Sequence, residues 1–401
     1  MKHTTLTHCR ICQSTKLETY LDLGKVHLVN KFYPKANKVD KFPLQVNLCR
    51  ECYNSQLSIV VNPSLMFDEY SYYSSVSKSF SEHCFNLAER VTKGIYPALN
   101  EGKRPLSVLD IASNDGCLLK EFKKFGYDIL GVDPAANIVN DANIKGIPTC
   151  CAYFNTGTAM DIFAKRGKTF DIITAQNVFA HVDDIHDFVL GIEILLAKNG
   201  IFIIEFPHIL NLLRKQQFDT VYHEHVSYLS LKPVITLMRK CGLEVFHVEE
   251  VPTHGGSLRV YVGSVYAPDA SVKGVLLKEN AMGVYSKATY ATYQESVNAF
   301  IKKQDDWFKK NKNKNIVGFG ASAKGTILLN MLKNQKIKYI IDDTPYKQDK
   351  FIPNLNIKVV SREYLKEHPV DYIYVTPWNF KTEINESMKE YKDKLIYPDE
   401  L

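Results

Sequence analysis

Leu106-Ser107-Val108-Leu109-Asp110-Ile111-Ala112-Ser113-Asn114-Asp115-Gly116 reads as a short buried strand entering a tight turn of small residues, and positions 117–125 continue it as a helix. Tyr127-Asp128-Ile129-Leu130-Gly131-Val132-Asp133 follows as a second strand, ending in an acid roughly 20 residues beyond the turn, the spacing of a nucleotide-binding βαβ unit. The turn lets a cofactor approach the backbone, and Asp133 is placed to accept hydrogen bonds from both hydroxyls of a ribose. Gly-x-Gly-x-x-Gly, which would cradle a pyrophosphate, is absent. Alternation then continues: an apolar strand over 169–175 ends at Gln176-Asn177, a helix is expected over 185–196, and another strand over 200–205. Parallel sheets hold ligands at the carboxyl ends of their strands, here 110–116, Asp133, 176–181 and 205–208. Phe154 and Asn155 read either as adenine contacts or as a packed turn. His181 either faces the reacting group or is a hydrogen-bonded loop histidine.

At 401 residues the chain is long for one core and predicts two or three domains. Its 45% hydrophobic and 23% charged residues are those of an ordinary soluble globular protein. A net charge of +6, scattered rather than blocked, argues against a nucleic-acid partner and favours small anions. No apolar run reaches the roughly 20 residues that span a bilayer, and the polar start Met1-Lys2-His3-Thr4-Thr5 is unlike a signal peptide. A cytoplasmic protein without a membrane partner is the expectation.

Nine cysteines, an odd number, argue against a disulfide framework. Cys9-Arg10-Ile11-Cys12 and Cys49-Arg50-Glu51-Cys52 are two Cys-x-x-Cys knuckles separated by 36 residues that should hold strands of their own. Two such turns close a tetrahedral sulfur cage around Zn²⁺, and four thiolates leave no open position, so the metal would be structural. Redox-active dithiols are the rival reading. Cys84, Cys117, Cys150, Cys151 and Cys241 lack ligand spacing and are expected to be buried apolar residues.

Three further stretches carry chemistry. Val221-Tyr222-His223-Glu224-His225 gathers titratable side chains but lacks the helical zinc spacing, since its histidines are two apart; it reads as a polar loop, a strand edge or a metal-ligand set. His254-Gly255-Gly256-Ser257-Leu258-Arg259 offers close backbone approach, a hydroxyl and a cation, suited to a diphosphate or sugar, or equally to a hairpin with a structural arginine. Gly318-Phe319-Gly320-Ala321-Ser322-Ala323-Lys324-Gly325, with the acid-terminated strand before Asp342-Asp343, resembles a degenerate mononucleotide fold. Ahead of the first unit, Tyr70-Ser71-Tyr72-Tyr73-Ser74-Ser75-Val76-Ser77 precedes a helical run over 78–99 and reads as a packed turn or a pocket wall. A helical region over 275–310 precedes the last unit, and Trp378-Asn379-Phe380 lies at the end of its final strand.

The Asp-x-x-x-Asn-Asp-Gly turn resembles the first motif of class I S-adenosylmethionine (SAM) methyltransferases. With the two knuckles, Tyr222-His223-Glu224-His225, 254–259, 320–325 and 378–380 in order, the chain resembles along nearly its whole length the SAM-dependent C-methyltransferases of nucleotide-linked deoxysugars, typified by the enzyme of tetronitrose biosynthesis. The resemblance implies an α/β protein of three parts: a small zinc-binding module over 1–66, a Rossmann-like class I methyltransferase domain over 67–265 with a helical lead-in, and a second Rossmann-like α/β domain over 266–401 that helps hold the nucleotide sugar. SAM and structural Zn²⁺ are the implied cofactors. Methylation at C3 of a 4-keto sugar requires a base and a donor to the 4-oxyanion. The family's roles fall on His225 as base, Tyr222 as partner or alternative base, Glu224 as anchor or imidazole orienter, and His181 nearby.

By the same resemblance Asp110, Ser113, Asn114, Asp115, Gly116, Asp133, Phe154, Asn155, Gln176 and Asn177 meet SAM, while Tyr72, Tyr73, His254, Gly255, Ser257, Arg259, Lys324, Trp378 and Asn379 meet the nucleotide-linked keto-deoxysugar. Cys9, Cys12, Cys49 and Cys52 hold zinc, and a monomer is expected. Some relatives carry Tyr where this chain has Val76, so Tyr72 or Tyr73 substitutes or the sugar differs. Two rivals are a nicotinamide-dependent ketosugar reductase using the C-terminal glycine turn and a non-catalytic regulatory protein with a zinc module.

Overall fold

The computed structural model describes residues 2–67, 73–102 and 107–401, and of His254 the backbone alone. Tyr72 and Leu106 lie outside the described residues.

Seven strands form the central sheet in the order Glu244–Val251, Ser257–Gly263, Leu196–Pro207, Phe170–Gln176, Ser107–Ile111, Asp128–Asp133, Thr149–Cys151. The last five run parallel, and Ser257–Gly263 is antiparallel to both of its neighbours. Every residue of Ser107–Ile111 is buried, as a strand covered on both faces requires. From that strand the chain winds out to Asp128–Asp133 and then returns to its other side at Phe170–Gln176. Ser107–Ile111 and Phe170–Gln176 therefore flank the switch point where open sheets hold ligands.

Helix Cys117–Lys124 starts at Gly116, whose φ of +78° is left-handed, and a Cβ there would meet Ile147 Cγ2 at 2.7 Å. Only glycine fits both demands. The helix buries Leu118, Leu119 and Phe122 at helical spacing, and a fully buried phenylalanine contributes about 2 kcal/mol. The lead-in helix expected over 78–99 forms Lys78–Arg90 and Tyr96–Leu99 around a wide turn at Val91–Ile95.

The 36 residues between the knuckles do hold strands, Leu17–Val26 and Phe42–Cys49. Their sheet continues through Ser55–Leu57 and is completed by Ser227–Tyr228, borrowed from the middle of the chain. The apolar side chains Leu210, Phe218, Val221 and Val226 share one core with Leu21 and Val46 on one side and with Tyr293, Ile327 and Trp378 on the other. The stretch around Val221–His225 is thus clamped between the first and last parts of the chain.

The C-terminal sheet has the order Phe351–Ile352, Ile357–Val360, Tyr339–Ile341, Ile316–Phe319, Tyr372–Val375, Leu395–Ile396, parallel except at its first strand. Its own switch point falls between Ile316–Phe319 and Tyr372–Val375. The helical region before it is three helices, Ala270–Ala281, Lys287–Ala291 and Tyr293–Lys310. Among the described residues no helix is long and apolar enough to cross a membrane.

Candidate active site

At the central switch point the turn after Ser107–Ile111 is fixed by the next strand. Asp133 accepts hydrogen bonds from Asn114 N and Ala135 N, each at 2.9 Å. Asp110 accepts from Thr174 Oγ1 at 2.6 Å, and burial pushes its carboxyl up to about 7. Several buried polar atoms around this crevice have no partner among the described residues: Ser113 Oγ, Asp115 Oδ1, Gln176 Nε2 and both amide atoms of Asn177, whose backbone is left-handed at φ +54°. Buried groups of this kind carry a desolvation cost until something bonds them. A ligand rich in amino, carboxylate and hydroxyl groups, as SAM is, fits that set. The segment 73–77 closes one side: Ser74 N donates to Asn114 Oδ1 at 2.9 Å, and Ser75 Oγ donates to Asp115. Asn155 caps helix Thr156–Arg166 by accepting from Thr158 N, and Phe154 packs edge-on to Phe188 at 5.2 Å. Val76 projects outward at 83% exposure.

Beside this crevice three rings gather. His181 and His225 meet edge to face with centroids 4.8 Å apart, and Tyr222 lies tilted over His225 at 4.1 Å. All three are half-buried. His225 Nδ1 lies 2.9 Å from the carbonyl oxygen of Thr220. A carbonyl only accepts, so Nδ1 carries the hydrogen and Nε2 holds the lone pair of the neutral ring. The other two members of the cluster turn away. His223 is buried with Nε2 donating to Pro43 O at 3.1 Å, and burial lowers its imidazole to about 4. Glu224 accepts from Asn30 Nδ2 at 2.9 Å, and burial pushes its carboxyl up to about 7. An extended stretch would put His223 and His225, two residues apart, on one face; residues 222–224 form a bend and turn instead, which sends the two rings into unlike surroundings, and among the described residues they join no metal-ligand cluster.

The residues expected at the substrate end are dispersed. Tyr73 donates its hydroxyl to Asp141 Oδ2 at 2.9 Å. Gly255 and Gly256 are left-handed, and a Cβ on Gly255 would meet Gln217 Nε2 at 2.8 Å. Ser257 Oγ donates to Thr253 O at 3.0 Å. Arg259 is buried, its Nε donating to Glu205 Oε2 at 3.1 Å and Nη1 to Glu249 Oε2 at 3.3 Å. Glu205 also takes Thr253 Oγ1 at 2.8 Å and His83 Nε2 at 3.0 Å, an internal network that ties three strands to the lead-in helix. Lys324 reaches Asn379 Oδ1 at 3.5 Å across the C-terminal switch point, and Trp378 packs on Phe300 at 5.8 Å. Burial raises the carboxyl of Asp219 to about 6, against the pull of Lys324.

Cys9, Cys12, Cys49 and Cys52 bring their sulfurs within 4.8 Å of one another, with Cys9 to Cys52 and Cys12 to Cys49 both 3.5 Å. A tetrahedral Zn–S bond of 2.3 Å implies sulfurs about 3.8 Å apart, so the cage fits zinc. The two knuckles are alike: Gln13 N donates to Cys9 O and Tyr53 N to Cys49 O, with φ of +66° and +63°. Among the other cysteines Cys84, Cys117 and Cys241 are buried as expected, but Cys150 is half-buried and Cys151 exposed. Both lie on the edge strand Thr149–Cys151, whose outer side has no neighbour in the sheet.

Residues missed in the sequence include Asn30, Arg10 and His83. Asn30 has φ +59°, and an asparagine at a left-handed position is a faint local signal, but nothing local names Glu224, 194 residues away, as its partner.

Comparison with known proteins finds relatives along the chain. Residues 9–67 match a family model described as "Putative zinc binding domain", residues 83–248 a methyltransferase domain, and residues 252–396 a C-methyltransferase C-terminal domain. The C-methyltransferase NovU of Streptomyces niveus is 32% identical over 397 residues, covering 96% of this chain and 93% of that protein. A ubiquinone biosynthesis O-methyltransferase of Azorhizobium caulinodans is 34% identical over 103 residues, 25% of this chain and 39% of that one. Among solved structures, the plantazolicin methyltransferase BpumL in complex with SAH aligns with 45% of this chain and 84% of its own at 16% identity and a TM-score of 0.37. Three domain matches in succession and an identity sustained from the zinc knuckles to the last strands set aside the reductase and regulatory readings: the chain belongs to the C-methyltransferase family, SAM-dependent enzymes with an N-terminal zinc-binding domain.

Proposed function

We propose that this enzyme methylates C3 of a nucleotide-linked 4-keto-deoxysugar in cytoplasmic deoxysugar biosynthesis. The observation that carries the reading is the ring cluster of His181, His225 and Tyr222 beside the cofactor crevice, with the tautomer of His225 set by Thr220 O. When bound, SAM supplies an electrophilic methyl group. Carbon becomes nucleophilic enough to accept it only as an enolate, so a proton must first leave C3. His225 Nε2 takes that proton; the C–H electron pair forms the C3–C4 double bond and the carbonyl pair moves onto O4. The ring that results is cationic, with Nδ1–H still held by Thr220 O. Tyr222 is the alternative base, or with His181 a donor to O4, where charge develops.

Glu224, which turns away from the rings to accept from Asn30, braces the turn that presents Tyr222 and His225 rather than anchoring the sugar. Tyr73, His254 and Gly255 are assigned to the sugar although they do not form one cluster, and Lys324, Trp378 and Asn379 to the nucleotide, Lys324 meeting a phosphate. The parts 1–66, 67–265 and 266–401 then act as scaffold, methyl-transfer domain and nucleotide holder. Ser257 and Arg259, already bonded within the protein, hold the 253–259 turn in shape.

Deuterium exchange tests this. In deuterated buffer the wild-type enzyme should wash label into C3 of a 4-keto nucleotide sugar, and His225→Asn should slow the exchange by about 10²- to 10⁴-fold. Exchange retained in that variant moves the base to Tyr222, with Tyr222→Phe the next measurement. Methyl transfer by the wild type with no exchange at C3 under any condition would refute the enolate.

A further inference from the structure

The geometry points to Arg10, which lies between the two thiolates of the first knuckle, as a positioning residue that sets His181 against His225; this rests on the reading of those rings as the reacting site. Arg10 is 6% exposed although it is a cation. Its guanidinium donates from Nη1 to Asp183 Oδ1 at 3.2 Å and from Nη2 to the carbonyls of Val182 and Asp183, the two residues that follow His181. The next residue of the knuckle assists, since Ile11 O accepts from His186 Nε2 at 2.9 Å. The first knuckle thus grips the loop that carries His181.

The second histidine is held from the same module. Leu57 N donates to Val226 O at 3.0 Å, and Gln56 pairs opposite Ser227, so the strand Ser55–Leu57 anchors the residues just after His225. Gln56 joins the two grips. Its Oε1 accepts from Arg10 N at 2.8 Å, and its Nε2 donates to His8 O at 2.9 Å. The 4.8 Å contact between the rings is accordingly spanned by one short chain of bonds through the zinc module: loop 182–183, Arg10, Gln56, strand Ser227–Tyr228.

A buried arginine is a poor way to gain stability alone, because well-packed apolar residues of similar volume serve as well or better. What the planar fork offers is direction: several donors at fixed angles, here satisfying two successive carbonyls and a carboxylate together. Lysine, a point charge on a flexible stem, cannot hold all three in that arrangement.

The test uses the zinc-loaded full-length enzyme with Arg10→Lys and Arg10→Ala. Arg10→Lys should keep one zinc per chain and KM values for SAM and sugar within about twofold, while kcat falls about 10- to 100-fold, as a misplacement near 1 Å produces. Millimolar guanidinium should restore kcat to Arg10→Ala and methylammonium should not. Independently of turnover, the ring resonances of His181, assigned with His181→Gln in ¹⁵N-histidine-labelled protein, should shift in Arg10→Lys. A shifted ring with unchanged kcat would uphold the positioning and remove His181 from the reaction. An unmoved ring with wild-type kcat and full zinc would overturn it. Loss of zinc in both variants would make Arg10 a folding residue and overturn it equally.

Discussion

The central and C-terminal units contain the same turn built twice. In the first, Asp133 accepts from Asn114 N and Ala135 N at 2.9 Å each; in the second, Asp342 accepts from Ala321 N at 2.8 Å and Thr344 N at 2.9 Å. Both turns leave a strand at a switch point of a parallel sheet and enter a helix past a left-handed glycine, Gly116 or Gly320. Their hydrogen bonding differs. Around the first, Ser113, Asp115, Gln176 and Asn177 keep buried polar atoms that no group among the described residues meets. Around the second, Asp342 also takes Lys347 Nζ at 3.1 Å, Ser322 Oγ accepts from Gly325 N, and Thr376 Oγ1 donates to the Gly320 carbonyl. The first turn is complete only with a ligand, whereas the second completes itself and leaves Lys324 as a cation beside Asn379. One scaffold therefore carries unfilled polar groups in one half of the molecule and a braced mount for Lys324 in the other.

The largest expected difference is in cofactor affinity. Asp133→Asn should weaken SAM about 100-fold or more by calorimetric titration, since two charge-assisted bonds at ~1.5–3 kcal/mol each shape the turn. Asp342→Asn should leave SAM affinity within about twofold; equal losses would erase the distinction between the two turns.

Next in size is pH. Burial moves Asp110 from its ordinary 3.8 to about 7 in the folded chain. A raised carboxyl pKa contributes stability that is fully present below about pH 4 and is lost as pH rises through 7, because the unfolded chain gives up the proton first. At 1.36 kcal/mol per unit the ceiling is about 4 kcal/mol. Urea denaturation of wild type and Asp110→Asn should diverge between pH 4 and 8, the wild type losing up to that much more. Parallel profiles would mean that Asp110 is ionised in the fold.

The glycines should match in stability and differ in function. Gly116→Ala and Gly320→Ala each force a left-handed Cβ into a neighbour, Ile147 at 2.7 Å or Pro377 at 2.6 Å, and should each cost about 2 kcal/mol by denaturation. Only Gly116→Ala should also weaken SAM. The smallest effect belongs to Lys324→Met, which should raise KM for the nucleotide sugar about 10-fold, the worth of one charge-assisted phosphate contact, at unchanged SAM affinity. A KM that does not move would take the phosphate away from the second turn.

Strand, turn, helix and terminal acid are consecutive in the chain, so both units were legible from periodicity and spacing, and the four cysteines from their paired knuckles. The composition of the ring cluster was legible too, but its division was not. Nothing in Tyr222-His223-Glu224-His225 states that His225 faces His181 while His223 faces Pro43 and Glu224 faces Asn30. The same holds for Arg259: a cation after a glycine turn suits a diphosphate, and only the neighbouring strands show that Glu205 and Glu249 already hold it.

By itself the sequence determined the α/β units, the small-residue turn after the first strand, the metal cage and the residue types available for proton chemistry, because the turn and its acid lie within about 25 residues and each Cys-x-x-Cys knuckle is a single local turn. Tertiary structure alone decided which of those residues face the site and what holds them there. Arg10 meets Val182 across 172 positions and Asn30 meets Glu224 across 194, contacts that exist only once the zinc module folds against the middle of the chain. Side-chain direction and desolvation are properties of the packed core, and they turn a cluster of titratable residues into one set of facing rings with its supports.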